Sequence, residues 1–147
     1  MKQDILIIDR LNLLLADFQI YYQNLRGFHW NIQGRDFFEL HVKFEELYTD
    51  AAVKIDEIAE RILTVGGTPL HTFDDYINTA NIAAVKNVHQ GEEGVKTIVS
   101  NITGLVELER EIKELAGDSS DSGTEDQMSA LIEEQEKSLW MYKAWLK

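Results

Sequence analysis

Hydrophobic residues recur at intervals of three and four along most of the chain, which is the period of a helix that buries one face. The first such face consists of Ile8, Leu11, Leu15, Phe18, Tyr22, Leu25 and His29. Gly27 lies late in this segment and Gly34 follows it. Because glycine commonly ends helices, the first helix is predicted to stop between residues 31 and 34.

A second long face follows and stops at a strong terminator. Its members are Phe37, His41, Phe44, Tyr48, Ala51, Ile55, Ile58 and Ile62. The sequence Gly66-Gly67-Thr68-Pro69 ends this helix, because glycine favours the turn after a helix and proline cannot continue one. Residues 71–83 then form a connection in which residues 74–80 could make a short helix.

Two further helices are predicted in the second half of the chain. The third runs from about residue 84 to residue 115 and buries Val95, Ile98, Ile102, Leu105 and Ile112. Residues 117–123 form a polar loop, after which Thr124 serves as the N-cap and Gln127 completes a capping box. The last helix carries Met128, Leu131, Gln135, Leu139, Tyr142 and Leu146.

These elements predict an all-α fold with one domain over residues 1–147. Four long helices form a bundle, with a short extra helix in the connection between helices two and three. The long connection suits an up-down-down-up bundle, which needs such a link at that point.

Composition narrows the possible functions. The chain has no cysteine, which excludes disulfides and thiolate chemistry and is compatible with the cytoplasm. It shows neither a secretory signal pattern nor an apolar run near the roughly 20 residues that a membrane span needs. The net charge of -12 argues against a general polyanion binder. The acidity could serve solubility alone, or it could attract cations to an internal surface or pore.

Four residues of metal-ligand type stand out, namely His29, His41, Asp56 and Glu60. Imidazole and carboxylate together suit iron or another first-row metal. Each histidine lies on an apolar stripe, where it could equally be an ordinary core or interface residue. Asp56 and Glu60 share one helix face, which could equally be a solvated acidic surface.

The line of Asp56 and Glu60 continues upstream through small or acidic residues, at Ala52, Thr49 and Glu45. Large apolar side chains are lacking along this line. Helix two is therefore predicted to have a second contact face, which could approach another helix closely.

The spacing along helix two bears on how a metal site could form. His41 and Asp56 are 15 residues apart, which is roughly 22 Å along one helix and too far for a single centre. A site with both residues needs a second copy of the helix, packed antiparallel about a centre near residues 49–50. Glu45 then falls close to Asp56 of the partner subunit, and each dimer holds two equivalent sites. The lack of a Glu-x-x-His pair disfavours a conventional di-iron centre inside one bundle.

These residues resemble the DNA-binding proteins from starved cells, or Dps, a family of ferritin-like proteins. The similarity covers nearly the whole chain, and the spacing His-x11-His-x14-Asp-x3-Glu is specific. It is densest at Asn24-Leu25-Arg26-Gly27-Phe28-His29-Trp30-Asn31, Phe37-Phe38-Glu39-Leu40-His41, Asp56-Glu57-Ile58-Ala59-Glu60-Arg61, Gly66-Gly67-Thr68-Pro69 and Leu139-Trp140-Met141.

The resemblance implies a homo-oligomeric, dodecameric shell around an iron-storage cavity. It implies ferroxidase centres at two-fold interfaces, each dinuclear or partly occupied by iron. Each centre would take His29 and His41 from one subunit and Asp56 and Glu60 from its neighbour. Glu45 matches a further acidic residue near the centre. Trp30 matches a tryptophan that could intercept oxidising equivalents, or it could be an ordinary interface aromatic. The implied reaction oxidises Fe2+ with hydrogen peroxide in preference to dioxygen, and protects the cell against oxidative stress.

Two features of the resemblance concern the rest of the surface. Asp118, Asp121 and Asp126 match the acidic region that lines pores in the family and could draw Fe2+ inward, although a solvated turn would look the same. Before the first helix the sequence has one basic residue, Lys2, and it stops at Lys147. Together with the net charge, this predicts weak or no DNA binding. The alternatives are a nucleoid-compacting structural protein and a shell that has lost its oxidation chemistry.

Overall fold

The structure is a computed structural model that describes residues 2–147, with side chains described from Asp4 onward. Within this part of the chain there are five helices and no strand. The helices are α1 Lys2–Asn31, α2 Phe37–Thr64, α3 Phe73–Thr79, α4 Gly91–Asp118 and α5 Ser122–Leu146. No helix in this range is both long and apolar enough to cross a membrane.

The four long helices pack as two antiparallel hairpins around one hydrophobic core. Ring contacts from Phe28 to Phe44 and from Tyr22 to Tyr48 show that α1 and α2 run in opposite directions. The core is filled by residues from all four, including Leu11, Phe18, Leu25, Phe44, Ile58, Ile98, Leu105, Ile112 and Met128. The predicted bundle is therefore confirmed.

Contacts between the hairpins give the order of helix directions. Asn24 and Arg10 of α1 pair with Asn101 and Glu111 of α4, so these helices are antiparallel. Since α2 and α4 are each antiparallel to α1, they run the same way. That is the predicted up-down-down-up arrangement, and it explains why the chain must cross the length of the bundle between α2 and α4.

The crossing segment is fixed by two buried polar residues of α1. Asp17 accepts hydrogen bonds from the backbone nitrogens of Asn81 and Ile82, at 2.7 and 2.9 Å. Asn24 donates to the carbonyl of Ala83 and accepts from the nitrogen of Val85, both at 3.0 Å.

The predicted start of the third long helix near residue 84 is wrong, because α4 begins at Gly91. Asp17 and Asn24 of α1 instead bind backbone groups of residues 81–85 and so hold this stretch in the crossing segment. Asn87, with φ of 62°, also lies outside the helical region. The short helix is confirmed with a shift of one residue, and Thr72 caps it by accepting from the nitrogen of Asp75.

The turn between α4 and α5 is shorter than predicted. Residues 117–123 do not form a loop, because α4 continues to Asp118 and α5 begins at Ser122. The N-cap is Asp121, not Thr124, and Asp121 accepts from the backbone nitrogen of Thr124 at 3.1 Å. The carboxylate of Asp121 also accepts from the guanidinium of Arg61 at 2.7 Å, and Nε of Arg61 donates to the hydroxyl of Thr124 at 2.9 Å.

Candidate metal centre

His29 and His41 are brought together by the short turn between α1 and α2. His29 lies in the last turn of α1, and His41 lies one turn into α2. Their rings stack with centroids 3.8 Å apart and planes 10° apart. Phe37 stacks on the other side of His41, and Tyr48 meets His29 edge-on. The two rings are therefore held by packing on both sides.

The hydrogen bonds of the histidine pair are reciprocal. Nδ1 of His29 lies 2.6 Å from the carbonyl oxygen of His41, and Nδ1 of His41 lies 2.7 Å from the carbonyl oxygen of His29. A carbonyl can only accept, so each Nδ1 must carry the hydrogen. In the neutral rings the lone pair is then on Nε2, which is the arrangement of a metal-ligating histidine whose other nitrogen bonds a carbonyl.

Glu45, one turn after His41 along α2, lies near Nε2 of His29. Its Oε1 lies 3.6 Å from Nε2 of His29. Two ligand atoms each about 2.1 Å from one metal ion are separated by roughly 3 to 4 Å, so the distance suits two ligands of a shared cation. His29 is buried, whereas the Glu45 side chain is 58% exposed. The contact between His29 and Glu45 thus opens to the surface, and these residues with His41 make up one half of the candidate site.

Asp56 and Glu60 form a separate, exposed carboxylate pair near the other end of α2. A hydrogen bond with Asp56 and its negative charge raise the pKa of Glu60. Like charges this close disfavour ionisation of both groups, and a bound cation would remove that penalty.

The two halves do not meet within one chain. The helix that carries them is unbroken from Phe37 to Thr64, so His41 and Asp56 remain roughly 22 Å apart. Across residues 2–147 of a single chain, no three histidine, aspartate or glutamate side chains converge in the manner of a metal site. The structure therefore brings His29 into contact with His41 on one side and with Glu45 on another, and it leaves Asp56 and Glu60 as a separate pair.

Comparison with known proteins places this architecture in a family. The model of the ferritin-like domain family matches residues 8–147. The DNA protection during starvation protein of Porphyromonas gingivalis is 42% identical over 139 residues, which cover 95% of this chain and 87% of that protein. The DNA protection during starvation protein 2 of Bacillus anthracis is 40% identical, over 95% and 96% of the two chains.

The chain belongs to the Dps family of ferritin-like proteins. Solved structures agree, since the Dps protein of Vibrio cholerae O1 superposes with a TM-score of 0.98 and 48% identity over 99% of this chain and 92% of that one. That protein is described as a member of a broad superfamily of ferritin-like diiron-carboxylate proteins. The Dps protein of Bacillus brevis gives a TM-score of 0.97 at 35% identity, over 100% and 99% of the two chains.

The acidic residues suggested for a pore occupy different settings in this Dps chain. Asp118 and Asp126 are exposed near the turn between α4 and α5. Asp121 is partly buried, which by itself would raise its pKa, but hydrogen bonds from Thr124 and Arg61 hold the pKa below its ordinary value. Its carboxylate accepts from the Arg61 guanidinium at 2.7 Å. Asp121 thus caps α5 and binds Arg61. A role in a pore stays a prediction for Asp118, Asp121 and Asp126.

A buried acid of this Dps chain, Glu109, is not among the residues that the sequence pattern singled out. Glu109 of α4 is fully buried, and one of its oxygens accepts from the amide of Gln135 on α5. The spacing from Leu105 through Glu109 to Ile112 was a usable signal, because it puts the acid on the apolar stripe. His71 and His89, in contrast, are exposed, and their Nδ1 atoms lie 3.0 Å from the carbonyl oxygens of Pro69 and Asn31.

Proposed function

We propose that this protein is a ferroxidase that oxidises Fe2+ and stores the ferric product inside a homo-oligomeric shell. The observation that carries the proposal is the histidine pair, whose reciprocal Nδ1 hydrogen bonds leave Nε2 of His29 facing the carboxylate of Glu45. Imidazole and carboxylate ligands together suit iron, which is the substrate here. Membership of a family that includes a described diiron-carboxylate protein supports the same metal.

In this proposal the site is completed by a second subunit. Two copies of α2, packed antiparallel about residues 49–50, place Asp56 and Glu60 of the partner subunit against the histidine pair. At 3.6 residues per turn, one exposed side of α2 contains Glu45 from one half of the site and Asp56 and Glu60 from the other, together with small and large apolar residues. These residues are Phe38, Val42, Glu45, Thr49, Ala52, Val53, Asp56, Glu60 and Leu63.

Large apolar side chains are exposed on that side of α2 in the single chain, which supports the proposal that a second subunit covers it. Phe38 is 82% exposed and Leu63 is 59% exposed in the single chain. An apolar patch of this kind on a soluble protein usually marks a contact with another protein. Thr49 and Ala52, near the proposed centre, are small enough for two helices to approach closely.

The proposed chemistry follows from the ligand set. The imidazoles and Glu45 bind Fe2+ from one subunit, and the partner's Asp56 and Glu60 offset the charge that grows as iron is oxidised. Two neighbouring Fe2+ ions supply the two electrons that reduce one hydrogen peroxide to water.

The proposal treats protection of DNA as chemical. Relatives carry the name DNA protection during starvation protein. The net charge of -12 per chain opposes direct binding to phosphate, so removal of iron and peroxide is the proposed route. The alternative is a structural protein that compacts the nucleoid by binding DNA directly. The expected assembly is a dodecameric shell.

The proposal is tested by loading the protein with Fe2+ without oxygen, adding peroxide and following ferric absorbance. We expect the double variant Asp56→Asn/Glu60→Gln to lose most of the fast phase. The control Asp74→Asn/Glu114→Gln removes the same charge at exposed positions away from both halves and should match wild type. Equal rates in all three proteins would contradict the proposed centre, and a monomer in sedimentation would contradict the two-subunit site.

A further inference from the structure

The last turn of α1, in which His29 lies, is held at its end by side chains from outside the helix. The final carbonyl groups of a helix have no partner within it and must find one elsewhere. The carbonyl oxygen of His29 accepts from Nδ1 of His41 at 2.7 Å. Asn31 is the last residue of α1, and its carbonyl oxygen lies 3.0 Å from Nδ1 of His89. Two histidines from other parts of the chain therefore cap this helix end.

His89 lies in the crossing segment, two residues before the start of α4, and it meets the connection between α1 and α2 at two points. Its own carbonyl oxygen accepts from the backbone nitrogen of Gln33 at 2.9 Å. Its ring donates to Asn31, because a carbonyl can only accept and Nδ1 must therefore carry the hydrogen. A residue 58 positions further along the chain thus binds both the end of α1 and the turn that follows it.

The residues next to His89 are packed into the bundle, so the contact has a fixed base. Val88 is buried, with 3% of its surface exposed. Gly91 lies so close to α2 that a Cβ atom there would be 2.7 Å from the side chain of Leu40. Leu40 is buried and directly precedes His41. The end of the crossing segment is therefore packed against the part of α2 that carries one member of the histidine pair, while His89 bonds the part of α1 that carries the other.

We propose that His89 is a positioning residue of the iron site, which keeps the last turn of α1 closed and so holds His29 and His41 together before iron binds. The inference rests on the proposed function, since it needs Fe2+ to bind at the histidine pair. Helix ends open more readily than helix centres. When the last turn opens, the carbonyl of His29 leaves Nδ1 of His41, and the His41 ring loses the bond that fixes its tautomer. The site then binds Fe2+ only in the fraction of molecules whose turn is closed.

The test compares three variants of the assembled protein with wild type. His89→Phe keeps a ring but lacks the donor, and His89→Asn keeps an N–H donor on a side chain of similar reach. His71→Phe is the matched control, because the Nδ1 atom of the exposed His71 also lies 3.0 Å from a carbonyl oxygen, that of Pro69 in its own segment. The same substitution there removes an equivalent hydrogen bond that does not involve α1.

Two measurements report on the proposed role. In the peroxide reaction, His89→Phe should raise the Fe2+ concentration that gives half the maximal rate by about 3- to 10-fold, the effect of losing one hydrogen bond, with a much smaller change in the maximal rate. His89→Asn should restore most of the loss, and His71→Phe should match wild type. Hydrogen exchange of residues 28–32 in iron-free protein, followed by mass spectrometry, should be faster in His89→Phe than in the other three proteins.

Different results separate the role of His89 from the underlying reaction. If wild type does not oxidise Fe2+ at all, both the positioning role and the proposed function are overturned. If oxidation depends on Asp56 and Glu60 but His89→Phe needs no more Fe2+ than wild type, the ferroxidase proposal stands and the role of His89 is wrong. An equal loss in His89→Asn or His71→Phe, or unchanged hydrogen exchange at the end of α1, would likewise overturn the role of His89 alone.

Discussion

Replacing Glu109 by glutamine should make the protein more stable at alkaline pH. Glu109 is fully buried between α4 and α5, and burial raises its pKa from an ordinary 4.5 to about 8, against the opposing effect of the hydrogen bond from Gln135. Its second oxygen has no hydrogen-bond partner within the described residues. The carboxyl group therefore stays protonated in the folded protein at neutral pH, although it is ionised in the unfolded chain.

The direction of the pH dependence follows from this difference. The folded state holds the proton more tightly, so the contribution of Glu109 to stability is full below pH 4.5 and declines as the pH rises toward 8. Each pKa unit corresponds to about 1.4 kcal/mol, so the total loss is of order 5 kcal/mol. Glutamine keeps the shape and the acceptor for Gln135 but cannot ionise, and it should remove this loss.

The measurement is calorimetric unfolding at pH 5 and pH 8.5, at one subunit concentration, for wild type, Glu109→Gln and the control Glu107→Gln. Glu107 lies two positions away on the same helix and is exposed. We expect Glu109→Gln to gain stability over wild type at pH 8.5 much more than at pH 5, and Glu107→Gln to follow wild type. The same pH dependence in wild type and Glu109→Gln would refute the reasoning.

Three further outcomes are expected. Mixing His41→Ala with Asp56→Asn/Glu60→Gln under conditions that exchange subunits should restore part of the iron oxidation that each lacks, because a mixed dimer regains one intact site; no recovery despite proven exchange would contradict a shared centre. Asp121→Ala should lower the free energy of unfolding by about 1–3 kcal/mol, seen by denaturant titration, since a helix cap and the partner of Arg61 are lost. The pKa of Asp121 is lowered, so this cost should disappear as the pH falls below the ordinary 3.8. Gel shifts with duplex DNA at physiological salt should show no complex, and a stable one would favour the nucleoid-binding alternative.

The fold was largely predictable because each helix is specified by residues that lie close together in the sequence. The stripes of α1 and α2 repeat with the helical period, and glycine and proline mark where α2 stops. The start of α4 was missed because it depends on Asp17 and Asn24, which lie more than 50 residues earlier in the chain. The N-cap at Asp121 was missed for the same reason, since Arg61 of α2 helps to hold that carboxylate.

The bundle and the separation of the two halves of the candidate site follow from the amino-acid sequence alone. The rise of a helix is constant, so a spacing of 15 residues between His41 and Asp56 is enough to give their distance. The free nitrogen of His29 and the rings that surround it, in contrast, are properties of the folded chain. They depend on the carbonyl of His41 and on Tyr48, and contacts between helices, not periodicity, bring these groups together.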